Sequence, residues 1–278
     1  MNRDILKTDG ELDTAKVRYF MRLSYRGARF HGWQTQPNAV SVQSVIEESL
    51  SVITREEVRI TGAGRTDTGV NARMMVAHFD LERPVKSAES FIRGLNSMVG
   101  PDIAIEEIVK VRQDAHARFD ATSRTYHYYT HTGKSPFLYP LSWQAPETLD
   151  YEAMNRAASM LTEISDFTSF AKLHSDAKTN ICRVTRAEWL DLGGGRHVFV
   201  ITADRFLRNM VRAVVGTLVD VGRGKLSLDQ FAKVIEARDR CAAGTSMPPH
   251  PLFLWDIRYP YYNQNESSES IFITSGDR

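Results

Sequence analysis

The stretch VRYFMRLSY, residues 17–25, sets Val17, Tyr19, Met21, Leu23 and Tyr25 against Arg18, Phe20, Arg22 and Ser24. This is the period-2 pattern of a β-strand that buries one face. Downstream the period changes: Val42, Val45, Ile46, Ser49, Leu50 and Ile53 fall on the i, i+3, i+4, i+7 stripe of an amphipathic helix that would cover a sheet. A short strand at 58–61, a glycine-rich loop and a strand at 74–81 follow. Past Pro84, the spacing of Ala88, Phe91, Leu95 and Met98 predicts a second helix, ended by Gly100-Pro101, and 103–111 alternates again as a strand.

The order β-α-β-β-α-β is that of the ferredoxin-like unit, an antiparallel sheet with helices on one face. The rhythm returns more loosely in the second part of the chain. Residues 123–131 alternate and are aromatic, 151–162 are helical, and 184–190 and 197–203 are strands around the turn Gly193-Gly194-Gly195. A helix at 228–237 and a strand at 252–259 close the pattern. The expected class is therefore α+β: two ferredoxin-like (RRM-like) halves, 17–115 and 116–262, with antiparallel sheets joined around a central cleft. Residues 1–16 form an N-terminal extension, and the polar tail 263–278, rich in Ser and Glu, reads as disordered.

The chain has 278 residues, 42% apolar and 25% charged, enough material for a substantial core. Its formal net charge of +1 argues against a polycation and leaves any nucleic-acid binding to local clusters. The two cysteines, Cys182 and Cys241, suggest neither a disulfide framework nor a zinc site and fit a reducing compartment. Residues 1–16 lack the apolar core of a signal peptide, and no apolar run is long enough to span a membrane. The expected location is the cytoplasm.

Three segments carry chemistry. The first, GAGRTDTGV at 62–70, places Asp67 in a glycine-rich loop where the backbone makes a tight excursion and a substrate can come close. The bland reading, a turn-capping aspartate, is about as plausible for any such loop taken singly. The second, DRFLRNMVR at 204–212, continues into an apolar run. Read as a helix N-capped by Asp204, it puts Arg205, Arg208 and Arg212 on one face, and Phe206, Met210, Val214, Leu218 and Val221 on the other. The arginines would contact phosphate or pair with a carboxylate such as Asp67, unless they form a solvated basic face. The third, ARFDATSRTYHYY at 117–129, interleaves arginine with aromatics, which suits stacking on unpaired RNA bases as well as an aromatic core strand. No HExxH, Walker-type or Rossmann pattern occurs, so the sequence calls for neither a metal nor a nucleotide cofactor.

Taken in order, GRTDTGVNA at 64–72, ARFDATSRTYHYY at 117–129 and FLRNMVRAVVG at 206–216 resemble the motifs of the TruA family of tRNA pseudouridine synthases. YRGARFHGWQTQP at 25–37 and LFLW at 252–255 resemble the family's opening and closing segments. The chain departs from the usual pattern at Thr68, Asn71 and Asn209, and along 246–251. The resemblance implies Asp67 as the catalytic aspartate, Arg65 as a neighbour that helps open the RNA, Tyr126 stacked on the target base, Arg212 paired with Asp67, and Leu252 lining the pocket. It also implies a basic cleft, a homodimer, and isomerisation of uridine at nucleotides 38, 39 and 40 of the tRNA anticodon stem-loop. The reaction exchanges an N1–C1′ for a C5–C1′ bond without net redox change, so no cofactor is needed. Arg22, Arg26, Arg29, Arg205 and Arg208 are candidate phosphate contacts. The competing class is a non-catalytic RNA-binding protein built on the same sheets, with no use for an Asp–Arg pair.

Overall fold

A computed structural model describes residues 16–172 and 178–262. The expected tail 263–278, all but the last residue of the expected extension 1–16, and His174 lie outside the described residues. The first unit runs β1 (Val17–Tyr25), α1 (Val42–Thr54), β2 (Ile60–Gly62), β3 (Asn71–Leu81), α2 (Ala88–Asn96), β4 (Ile103–Lys110). The second runs β5 (Ser123–His131), a short β6 (Trp143–Gln144), α3 (Tyr151–Ser159), β7 (Val184–Gly193), β8 (Arg196–Ala203), α4 (Met210–Gly222), α5 (Leu228–Ala237) and β9 (Leu252–Arg258).

The helices begin where polar side chains can hold free amides. Ser41, Ser87, Asp150 and Ser227 accept from the first turns of α1, α2, α3 and α5, contacts worth about 1 kcal/mol each. On α1 the predicted stripe is the buried one: Val42, Ile46 and Leu50 are fully buried, and each contributes about 1.5–3 kcal/mol by leaving water.

All named strands join one sheet, ordered β4-β1-β3-β9-β5-β8-β7, with β2 beside β3 and β6 beside β5. Within each unit the permutation is the same. The first unit reads β4-β1-β3-β2 and the second, with the short β6 left out of the count, β9-β5-β8-β7, in both cases fourth, first, third, second, with antiparallel pairs. The seam between units is parallel, pairing Asn71 with Phe253 and Ala72 with Leu254. β5 and β6 are also parallel. This corrects the expectation of antiparallel sheets: the two units share a single sheet, and it is mixed. Alternation says that a segment is a strand and which face it buries, but not which neighbour it will find.

Two cores meet at Tyr126, which packs against both. Aromatic packing also covers part of the face expected to be polar. Phe20, expected on the more polar side of β1, is fully buried beneath Tyr259, Tyr261 and Tyr262, whose ring centroids lie 5.3, 6.2 and 5.7 Å away. His127 stacks on Trp255 at 4.2 Å, and His131 Nδ1 shares a 2.6 Å hydrogen bond with Ser142 Oγ, so both histidines of β5 serve packing.

A second correction concerns 204–212. The helix starts at Met210, not at Arg205, and Asp204 is not its N-cap. The Asp204 carboxylate instead accepts from the amides of Arg183 and Arg205, and Asn209, with φ +65°, turns the chain through the left-handed region just before α4. Of the three arginines expected on one helical face, only Arg212 is helical.

Candidate active site

Residues 63–70 connect β2 to β3 and are pinned at several points. Ala63 donates its amide to Val76 O at 2.8 Å. Thr66 is buried, its hydroxyl 2.8 Å from Tyr25 Oη and its carbonyl accepting from Trp33 N at 3.2 Å. Gly32, at φ +87°, lies so close that a Cβ there would sit 2.6 Å from Thr66 O. The turn closes on the catalytic candidate itself, since Val70 donates its amide to Asp67 O at 3.1 Å. The loop is thus a braced excursion, with Asp67 held on a backbone that has little freedom to move.

Across from it stand two guanidinium groups. Arg208 Nε lies 3.7 Å from Asp67 Oδ1, and Arg212 Nη1 lies 3.7 Å from Oδ2. The carboxylate is about a quarter exposed, Arg212 21% and Arg208 62%. Burial favours Arg212 as the stronger partner, because water screens a charge less where it is excluded. At these distances the pairs are electrostatic rather than hydrogen-bonded, which leaves the carboxylate oxygens open to a substrate.

Arg212 is held in turn by residues 246–252. Its Nε donates to Met247 O at 2.6 Å, and Met247 N donates to Arg212 O at 3.1 Å. The ends of this segment are tied by two residues at which the chain departs from the usual motif. Asn209 Nδ2 donates to Ser246 Oγ at 2.6 Å. Asn71, buried in the seam, accepts from Gly27 N at 2.9 Å and donates to His250 O at 2.7 Å and, at 3.4 Å, to Leu252 O. Neither role was legible from sequence, because both asparagines serve partners far away in the chain.

Tyr126, on β5, is half-buried, and its ring meets that of Phe206 edge-on at 4.9 Å. Burial, with a contribution from the Asp67 carboxylate, pushes its phenol up to about 12, so the hydroxyl stays protonated at neutral pH. Phe206 is a wall residue that the helical reading missed: in the irregular run before α4 no periodicity predicts where it points.

The remaining candidates divide. Arg65 is exposed on the loop itself. Leu252 is buried at the start of β9 and pairs with Tyr128. Arg205 forms no ion pair with Asp67 among the described residues. Arg22 faces Glu106 and Glu107, at 3.4 and 3.9 Å, while Arg26 and Arg29 share the buried carboxylate of Asp102 at 2.9 and 3.5 Å. These three are engaged within the protein rather than gathered at Asp67, although Arg26 and Arg29 remain over half exposed. Among the described residues no group of His, Cys, Asp and Glu side chains could hold a metal ion, and no helix is long and apolar enough to cross a membrane.

The braced aspartate and its two arginines lie within segments that match a family model described as tRNA pseudouridine synthase, over residues 23–120 and 157–260. The chain belongs to the TruA family. Curated relatives named tRNA pseudouridine synthase A include those of Parabacteroides distasonis, 55% identical over 87% of this chain and 96% of the relative, and Bacteroides thetaiotaomicron, 54% identical over 87% and 91%. That of Porphyromonas gingivalis is 53% identical over 88% and 98%. Among solved structures, a Cbf5–Nop10–Gar1 complex aligns over 72% of this chain and 54% of that chain at 14% identity with a TM-score of 0.29, too weak a likeness to carry any argument. As a TruA-family member the chain is an isomerase of uridine in tRNA.

Proposed function

We propose that this synthase isomerises uridine at nucleotides 38, 39 and 40 of the anticodon stem-loop, with Asp67 as its essential carboxylate. One observation carries the reading: Asp67 is braced on its loop with a guanidinium 3.7 Å from each of its oxygens. A pure binder gains nothing from charges so placed, because they neutralise one another instead of gripping phosphate. An enzyme gains a carboxylate at a fixed point.

Extruding the target uridine from the stem costs a few kcal/mol, which phosphate contacts from exposed arginines, Arg65 among them, offset. Asp67 then acts on the ribose, either attacking C1′ as the N1–C1′ bond breaks or removing the C2′ proton. The detached uracil turns against the Tyr126 ring, with Leu252 behind it, and rejoins through C5. The C5 proton leaves, N1 gains one, and the atoms balance without a cofactor. Arg212 and Arg208 face the two carboxylate oxygens of Asp67 and orient it. A slower reaction on substrate deuterated at C2′ separates the two routes, since only the second breaks that bond in the chemical step.

The halves 17–115 and 116–262 read as ferredoxin-like, supported by the repeated strand permutation. A homodimer sharing one tRNA, and a place in the cytoplasm, follow from the family likeness and from tRNA as substrate. The test is direct. Purified protein is incubated with transcribed tRNA, without metal or cofactor, and pseudouridine is mapped by chemical modification and primer extension beside Asp67→Ala. Pseudouridine in the anticodon arm with the parent only is the expected result. Product elsewhere in the tRNA would overturn the site assignment, and tight binding without any product would favour the binding-module reading.

A further inference from the structure

Arg124 was read from sequence as one of the arginines interleaved with aromatics for RNA. The structure gives it another use. Its backbone lies in the middle of the sheet, pairing with Ala203 on one side and Ile257 on the other. Its side chain is half-buried, and burial lowers its pKa, yet no carboxylate among the described residues forms an ion pair with it. Instead, Nη1 donates to Ala121 O at 3.1 Å and Asp204 O at 2.8 Å, and Nη2 donates to Ala63 O at 2.9 Å and Arg118 O at 2.6 Å. Four of the five N–H groups of a guanidinium are thus spent on backbone carbonyls.

Those carbonyls belong to three separate segments. Ala63 opens the loop that carries Asp67. Asp204 opens the irregular run that carries Phe206 and Arg208 and leads to Arg212. Arg118 and Ala121 lie on the connection between the two halves. Carbonyl oxygens converging on one point repel each other, and a planar cation with fixed donor directions is the side chain that can bind four of them together. A lysine has three donors on one nitrogen and cannot span the same spread. A positive charge taken from water without an anion is costly, and the one evident return is the fixed spacing of these segments.

We infer that Arg124 is a positioning residue for the isomerisation, which sets the distance between the Asp67 loop and the loop bearing Arg208 and Phe206 through backbone bonds alone. The inference rests on the reading of Asp67 as the catalytic carboxylate. It implies that Arg124 acts on the chemical step and not on the grip on tRNA. A displacement of about 1 Å between reacting groups is enough to cost about 100-fold in rate.

The test measures kcat and KM for pseudouridine formation with Arg124→Ala and Arg124→Lys, tRNA affinity by filter binding, and kcat of Arg124→Ala with added methylguanidine. Asp67→Ala is run in the same assay. Arg124→Ala is expected to lower kcat about 100-fold with KM and tRNA affinity within about threefold, and methylguanidine to restore at least about tenfold of the loss. Should Arg124→Ala not fold, Arg124→Lys decides, with an expected fall in kcat of about tenfold or more at unchanged KM. A folded variant with parental kcat, or a loss confined to KM, overturns the proposal. Turnover surviving in Asp67→Ala would instead remove the reading beneath it, whatever Arg124 does.

Discussion

In the first half of the molecule the connection between the second and third strands of the unit is the braced loop 63–70, carrying Arg65 and Asp67. In the second half the same connection is Gly193-Gly194-Gly195, each residue at positive φ, a tight turn between β7 and β8 with no functional side chain. The connection after the third strand shows the reverse contrast. From β3 it leads to α2, whose first turn carries an acidic residue. From β8 it leads through Phe206 and Arg208 to Arg212. A shared permutation of strands therefore supports non-equivalent loops, and the site exists only where the parallel seam brings one half's carboxylate to the other half's arginines. Repetition supplies a scaffold, and asymmetry supplies the chemistry.

The comparison breaks most sharply at Asp67. Asp67→Asn keeps the shape of the loop but removes the charge, and turnover should fall by about 10⁴-fold or more while tRNA affinity changes by less than about threefold; single-turnover assays and filter binding read the two effects. On the opposite half, Arg212→Gln should lower kcat by about 100-fold, and the more exposed Arg208→Gln by only about tenfold. Equal effects would show that burial does not rank the pair.

The seam itself can be loosened without touching either charge. Asn71→Ala removes three hydrogen bonds, one to Gly27 within the first half and two across to the second, of which one is long, and should cost about 2–3 kcal/mol of stability. A lowered urea midpoint at unchanged slope would show it.

A fourth prediction concerns pH. His78 in β3 is held down to about 4, mainly by burial and then by the charge of Arg18. Its Nδ1 accepts from Ala117 N at 3.1 Å, a bond that only an unprotonated nitrogen can make. Because its folded pKa lies below the unfolded value of 6.5, its contribution is complete above pH about 6.5, declines as the pH falls toward about 4, and is constant below that, for a total of about 2–4 kcal/mol. Urea unfolding at a series of pH values should show this decline, and His78→Gln should flatten it. His127, in the second half, is held down to about 3 by burial and should leave a residual slope of the same sign.

The smallest effect is expected at Tyr126. With the phenol at about 12, Tyr126→Phe should keep kcat within about threefold and leave the pH profile unchanged below about pH 10, since a ring that stacks needs no ionisable hydroxyl. A large loss would assign the hydroxyl a part in the chemistry.

Much of the fold is legible in the chain because strand and helix periods are local. The alternation of Val17–Tyr25, the stripe of α1 and the aromatic run Ser123–His131 each coincide with an observed element. The same reasoning failed at 204–209, where Arg205, Phe206 and Arg208, placed at helical spacing, lie in a loop. There the Asp204 carboxylate is drawn to the amide of Arg183, and the left-handed Asn209 delays the helix, both of them tertiary outcomes. The candidate site was legible as three motifs, with pairing to Asp67 left open among Arg205, Arg208 and Arg212, but the seam contacts of Asn71, the Ser246 contact of Asn209 and the four carbonyls on Arg124 were not.

From sequence alone came the identities of the strands and helices, the repeated order of elements and the chemical suspects Asp67, Tyr126 and Arg212, because backbone period and side-chain chemistry are properties of short stretches. The tertiary structure alone decided that the sheet is single and mixed, that β3 and β9 run parallel, and that Asp67 meets two arginines from the other half. Pairing across such distances depends on which surfaces must be buried together, and no local pattern encodes that choice.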